Sequence, residues 1–191
     1  MPPVVGKFIV ISAPSGAGKT TIVKKLLTRH KGWVRSISYT TRSPRKGEEN
    51  GRDYFFVTAK EFEEKKRAGF FLESANVFGA FYGTSKEFVS NHVTHGRCVL
   101  LAIDVQGMKQ IREKLEEEVP TLSFFIMPPS LDELRARLEK RNTENQTEVE
   151  VRLKVARKEI AQKDFYDFEV VNQEVDLAVK QIEEMIHDHS N

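Results

Sequence analysis

Eight consecutive residues, Ala13-Pro14-Ser15-Gly16-Ala17-Gly18-Lys19-Thr20, set small residues, glycines, a lysine and a hydroxyl in the order needed to hold a polyphosphate. Gly16 and Gly18 allow the backbone to turn its N–H groups toward one point, and a helix starting there presents the positive end of its dipole to an anion. Lys19 adds a mobile charge for β- and γ-phosphate oxygens, and the Thr20 hydroxyl adds an oxygen for a magnesium ion. The octet matches the phosphate-loop pattern G-x-x-x-x-G-K-[ST] except at its first position, where Ala13 stands. A need for positive φ at that position would cost an alanine about 1 kcal/mol or more. Such a loop, here extended to Thr21, does not by itself separate kinases from GTPases, motor ATPases or transporters.

The flanking sequence supplies the scaffold that such a loop requires. Val4 to Ile11 is an apolar, β-rich run suited to a strand buried on both faces. After the loop, Ile22, Val23, Leu26 and Leu27 recur at helical spacing to about Arg29, with Gly32 as a stop. Further on, strands are expected over Arg97 to Ile103, Thr121 to Met127 and about Phe168 to Val171. Helices are expected over Val105 to Glu118, Ser130 to Lys140, Thr147 to Lys163 and about Val175 to Asp188. This alternation predicts an α/β fold whose core is a doubly wound parallel sheet flanked by helices. One domain is expected, with the core at about 1–33, 97–127 and 165–191.

Residues 34–96 differ in character, mixing Ser, Thr, Arg and Gly with aromatics, and read as an inserted mixed α+β lobe for the second substrate. Within it, Thr58 followed by Glu61 is a capping-box start for a helix from Ala59 to Ala68, and Lys86 to His95 reads as another helix. Gly69 and Gly96 end them. Residues 128–164 read as a charged helical lid.

From Ser38 to Tyr54 the chain becomes recognisable. The phosphate loop, the run Ser38-Tyr39-Thr40-Thr41-Arg42-Ser43-Pro44-Arg45, then Phe71-Leu72-Glu73, Tyr82-Gly83-Thr84, Ile103-Asp104-Val105-Gln106-Gly107 and Arg137-Leu138-Glu139-Lys140-Arg141 occur in the order found in guanylate kinases. The sequence resembles that family over nearly its whole length. The resemblance implies an ATP:GMP phosphotransferase with ATP on residues 13–21 and magnesium as cofactor.

By the same resemblance Arg42, Arg45, Tyr54 and Tyr82 gather the GMP phosphate. The chemistry agrees, because guanidinium forks bind phosphate oxygens bidentately and phenols add neutral donors. Pro44 between the two arginines disfavours a helix, so a shaped loop is expected there. Glu73 would read the base: guanine offers adjacent N1–H and N2–H donors to one carboxylate, whereas adenine offers an acceptor at N1. The family places Ser38 and Thr84 beside the base. Asp104, at the end of an apolar strand, matches the family's acidic residue near acceptor and metal, and is expected to contact GMP or to reach magnesium through water. Many relatives carry a second acidic residue where this chain has Ala102.

Arg137, Arg141 and Arg152 match the family's lid arginines, suited to the equatorial oxygens of a phosphoryl-transfer transition state. Together with Lys19 and Arg42 they form the expected catalytic set, which works by positioning and electrostatics without a covalent intermediate. Asn172 matches a position near the ATP adenine. Arg135, Lys140 and Lys154 read as a solvated helix surface.

Composition limits the partners. The chain has 191 residues, 39% apolar and 30% charged, with 30 basic against 28 acidic side chains and a formal charge of +2. No global field marks a nucleic-acid or membrane-surface binder. No window has the length of a membrane span, and the N-terminus lacks a secretory pattern, so a soluble, cytoplasmic protein is expected, as a monomer or weak homo-oligomer. The single cysteine, Cys98, reads as a small buried hydrophobe. His30, His92, His95, His187 and His189 show no metal-ligand spacing. Two other readings remain open from sequence: a non-catalytic interaction domain of the same family, and a related kinase with another phosphorylated acceptor.

Overall fold

The computed structural model describes residues 6–115, 119–140 and 146–189. In chain order the first elements are β1 (Lys7–Ser12), α1 (Lys19–Arg29), β2 (Val34–Arg35), β3 (Tyr39–Thr40), β4 (Phe55–Phe56) and α2 (Ala59–Arg67). There follow β5 (Phe71–Val77), β6 (Ala80–Ser85), α3 (Lys86–Thr94), β7 (Cys98–Ala102) and α4 (Val105–Leu115). The remainder is β8 (Thr121–Met127), α5 (Leu131–Lys140), α6 (Gln146–Ile160), a 3-10 turn at Lys163–Phe165, β9 (Phe168–Val171) and α7 (Val175–Asp188).

A five-stranded sheet runs in the order β2-β7-β1-β8-β9, with β2 parallel to β7 and β8 parallel to β9. From β1 the chain builds one side of the sheet and then the other. Open α/β sheets bind ligands at the carboxyl ends of strands where the order reverses in this way. Phe8 through Ile11 are at most 1% exposed, so both faces of β1 are covered, which explains its unbroken apolar run. Its carboxyl end leads straight into the phosphate loop.

The chain forms two compact units: Met1–Phe8 with Gly32–Thr121, and Ile9–Lys31 with Leu122–Asn191. The first contains a second sheet, β4-β3-β6-β5, in which β5 and β6 form an antiparallel hairpin. Val77 pairs with Ala80, leaving a two-residue turn of Phe78 and Gly79 with φ of 51° and 82°. Positive φ at both positions is the twist-compatible hairpin geometry, although phenylalanine is an unusual residue to adopt it. In β5 the register shifts between Phe71, opposite Ser85, and Glu73, opposite Thr84. Leu72 is therefore the extra residue of a bulge, and Leu72 and Glu73 are both buried in succession.

Helix α2 starts as its sequence requires: Thr58 Oγ1 accepts from the Glu61 backbone N–H, and Glu61 Oε2 accepts from the Thr58 N–H. In the second unit, α1 buries Ile22, Val23 and Leu26, while α7 buries Ala178, Val179, Ile182 and Ile186. Lys25 and Arg29 on α1 pair with Asp176 and Glu183 on α7. Helices α5 and α6 share a small core of Leu134, Leu138, Val149, Leu153 and Ala156, closed by Leu131. Strand β8 carries Phe124 and Phe125 fully buried, as expected for core aromatics. Asp167 Oδ2 fastens the start of β9 by accepting from both the N–H and the hydroxyl of Ser123.

Candidate functional site

The phosphate loop lies in the second unit. Gly16 and Gly18 have φ of 96° and 99°, a region a Cβ makes costly. Gly18 is the N-cap of α1, no side chain caps that end, and the first turn holds no acidic residue. The leading N–H groups of α1 and its positive dipole end are thus not neutralised by a side-chain cap, which suits an anion. Among the described residues Phe78 is the one non-glycine with positive φ, so Ala13 occupies the first loop position without backbone strain. The departure from glycine there carries no positive-φ penalty.

Two side chains from the rest of this unit brace the loop, and a third holds one of them. Arg152 Nη1 donates to Ser15 Oγ at 2.9 Å. Asn172, 2% exposed, donates from Nδ2 to the Ala17 carbonyl at 2.7 Å, while its backbone carbonyl accepts from Arg137 Nη2 at 3.4 Å. A Cβ on Gly18 would come within 2.2 Å of Asn172 Nδ2, and one on Gly16 within 3.0 Å of Leu134. Gly18 is therefore demanded by φ and by close approach, and Gly16 by φ. Arg137 also pairs with Glu133 one turn earlier at 3.1 Å, and Arg135 pairs with Glu150 across α5 and α6. Arg137 and Arg152 are thus brought onto the loop's own unit. Arg141 lies outside the described residues.

The expected acceptor residues lie in the first unit. Glu73, 3% exposed, accepts from Thr84 Oγ1 at 2.5 Å, a cross-strand pair made by the bulge. Thr40, Tyr82 and Thr84 alternate onto one sheet face, because β3 pairs Thr40 with Tyr82. Arg42 Nε donates to Tyr82 Oη at 3.1 Å, and the guanidinium carbon lies 5.3 Å from the centre of the Tyr54 ring. Burial works to lower the Arg42 pKa, but hydrogen bonds to Glu48 and Tyr82 outweigh it and hold the group above its ordinary value. Burial raises the Tyr54 phenol, so it remains a neutral donor at physiological pH. Arg45 stands exposed on the same loop, and Ser38 is buried at 9% exposure.

Asp104 precedes α4 and caps it: Oδ1 accepts from the Gly107 N–H at 2.9 Å, and Oδ2 accepts from Gln106 Nε2 at 3.0 Å. Residues that sequence reasoning passed over lie beside it. Gln110 clamps Ser74 of β5 with both ends of its amide, Oε1 accepting from the Ser74 N–H at 3.1 Å and Nε2 donating to the Ser74 carbonyl at 2.8 Å, and Lys114 Nζ donates to the bulge carbonyl of Leu72 at 2.7 Å. Gly107, Gln110 and Lys114 follow helical spacing along one face of α4, a signal visible in the sequence. Glu48 is another omission; both its oxygens accept from Arg42. Tyr39 and the pair Phe70 and Phe71 pack together with Phe55 and Phe62 as an aromatic cluster.

Strand β1, a glycine turn leading into a helix start that no side chain caps, and Lys19 and Thr20 as the first residues of that helix define a P-loop α/β nucleotide-binding protein. Comparison with known proteins sharpens this. The family model described as Guanylate kinase matches residues 5–189. A guanylate kinase of Wolbachia sp. subsp. Brugia malayi is 50% identical over 181 residues, covering 95% of this chain and 92% of that protein. One from Caldanaerobacter subterraneus subsp. tengcongensis is 45% identical, covering 95% and 86%. The crystal structure of guanylate kinase from Anaplasma phagocytophilum superimposes with a TM-score of 0.81 at 36% identity, covering 97% of this chain and 86% of that one. The chain belongs to the guanylate kinase family.

Proposed function

We infer that this chain is an enzyme, a guanylate kinase that transfers the γ-phosphate of ATP directly to GMP, giving ADP and GDP reversibly. The observation that carries the reading is the buried Glu73–Thr84 pair on the sheet that also bears the Arg42–Tyr82 pair. A carboxylate can accept from two adjacent donors, and guanine N1–H and N2–H supply such a pair. Adenine would set its N1 lone pair against that carboxylate, so the site selects by leaving the wrong base unpaired. A sugar phosphate would give Glu73 nothing to bind. A purely structural adaptor would not need Gly16, Gly18, Lys19 and Thr20 together, so neither other reading is favoured.

The roles we assign follow from side-chain chemistry. Residues 13 to 21 cradle the ATP phosphates, with Lys19 on the β- and γ-oxygens. Arg137, Arg141 and Arg152 gather charge around the transferring group, where a loose transition state spreads it over equatorial oxygens. Arg42, Arg45, Tyr54 and Tyr82 hold the GMP phosphate; Ser38, Glu73 and Thr84 hold the base. The Asn172 Oδ1, buried and without a hydrogen-bond partner among the described residues, supplies an acceptor of the kind the adenine 6-amino group requires. Since the acceptor is already an anionic phosphate, the chain needs no side-chain nucleophile. Its work is alignment, charge neutralisation and exclusion of water as the lobe of residues 34–96 and the lid of residues 128–164 close on the core in a ternary complex.

Magnesium suits the oxygen donors available. It prefers one or two protein oxygens completed by phosphates and water; we assign it the Thr20 hydroxyl as a ligand, and the Asp104 carboxylate as a contact through water. Bound there, the ion would neutralise phosphate charge. We further read the protein as cytoplasmic, monomeric or weakly self-associating, with neither nucleic acid nor membrane as partner; its near-balanced charge supports this. Among the described residues no helix is long and apolar enough to cross a membrane.

The decisive experiment is a coupled ADP-release assay with MgATP and GMP, AMP, CMP, UMP or ribose 1,5-bisphosphate offered separately. Strong turnover with GMP alone is expected. Turnover with a different acceptor would discard the role of Glu73, and ATP binding without turnover on any acceptor would point to an interaction domain.

A further inference from the structure

Arg42 is held by more than the aromatic wall around it. Its Nη2 donates to both carboxylate oxygens of Glu48, at 3.0 and 2.9 Å, and its Nη1 donates to the Ser43 carbonyl at 2.6 Å. The two charged side chains are 18% and 19% exposed, so their attraction is screened less than that of a surface pair. An exposed ion pair would contribute little. This one sits where a guanidinium must keep one orientation.

Glu48 is also anchored independently of Arg42. Its Oε2 accepts from the Arg45 N–H at 2.8 Å, its own N–H donates to the Arg45 carbonyl at 3.0 Å, and Gly47 turns the chain between them with φ of 84°. The carboxylate is therefore part of a closed turn, fixed to the backbone of one phosphate arginine while gripping the side chain of the other. A carboxylate that merely occupied the phosphate seat until substrate arrived would need freedom to withdraw. The two backbone hydrogen bonds oppose that.

We propose that Glu48 is a positioning residue for the acceptor phosphate: it locks Arg42 in its receiving orientation and ties that orientation to the turn carrying Arg45. This rests on the guanylate kinase reading and adds to it a residue that touches neither substrate. With Glu48 in place, the long Arg42 side chain has lost its rotamer freedom before GMP binds. Without it, each binding event must order that side chain anew.

The test is steady-state kinetics of wild type, Glu48→Ala and Glu48→Gln, with GMP and ATP varied separately, and GMP titration calorimetry on the same samples. Since Arg42 would meet the phosphate before and during transfer alike, KM for GMP should rise about tenfold in Glu48→Ala while kcat changes by less than about threefold. KM for ATP should not move. Glu48→Gln keeps an acceptor for the Arg45 N–H at equal size but loses the charge, so it should fall between the two and guards against misfolding of the alanine variant. An unchanged GMP KM in both variants would overturn the proposal, as would a lower one, which would make Glu48 a competitor of the phosphate. If wild type itself neither binds nor phosphorylates GMP, the guanylate kinase reading fails and this proposal with it. If wild type is active and the variants match it, this proposal alone fails.

Discussion

Gly107 and Glu73 are fitted to each other: a Cβ built on Gly107 would lie 2.6 Å from Glu73 Oε2 and 3.1 Å from its carboxyl carbon. The Glu73 carboxylate thus rests in the notch left by a missing side chain on α4. Thr84 holds its other oxygen, so the group is fixed from two sides. Asp104 caps the same helix end through the Gly107 N–H.

Gly107→Ala follows directly. Alanine in a helix is normally worth about 1 kcal/mol over glycine, so the helix itself should gain. The carboxylate must shift to admit the Cβ, and KM for GMP should rise about tenfold with KM for ATP unchanged. Thermal melting alongside kinetics checks this. A loss of GMP affinity without a fall in melting temperature is expected; an unchanged GMP KM would mean that Glu73 does not need its notch.

Glu73→Ala removes the carboxylate that we assign to both guanine donors. The ratio of kcat/KM for GMP to that for AMP should fall by at least about a hundredfold, since a buried polar match accounts for several kcal/mol of discrimination. Competition assays with both nucleotides measure it. Full discrimination in the variant would remove Glu73 from base recognition.

Asn172→Ala should act on the other substrate. The Ala17 carbonyl would lose its donor, a change costing about 1–3 kcal/mol when the acceptor stays buried. KM for ATP should rise while KM for GMP holds. Equal effects on both substrates would show a general loss of structure instead of a loosened phosphate loop.

Cys98 should be chemically quiet. Burial pushes its thiol up to about 12, with Lys7 acting weakly in the opposite direction. At pH 8 only roughly one molecule in ten thousand would carry the reactive thiolate. Reaction with a disulfide reagent should be slow in the native protein, should keep accelerating above pH 10, and should become fast in guanidinium. Rapid native reaction at pH 8 would contradict this.

The P-loop, the boundaries of α1, α7, β8 and β9, and the capping box of α2 were legible in the residues themselves, because periodicity, glycine placement and Thr58 with Glu61 are local signals. Residues 34–96 were read as a mixed lobe, but the hairpin of β5 and β6 was not visible. Its turn uses Phe78 where Asn or Gly usually announces positive φ, and the bulge at Leu72 breaks the alternation that marks a strand.

What the sequence alone determined was the chemistry available: a phosphate cradle, arginines for anions and one carboxylate able to read a base. Cys98 reads from sequence as a small buried hydrophobe, and the structure leaves it half-buried at the start of β7. Only tertiary structure decided how the groups are held. Glu73 takes its place from a register shift, a glycine one helix away and two α4 side chains that clamp β5. Arg42 takes its orientation from Tyr82, forty residues on, and from a turn closed by Glu48. Local pattern records which side chain can react, whereas its direction is set by neighbours distant in sequence, whose contacts exist only once the backbone has been folded around them.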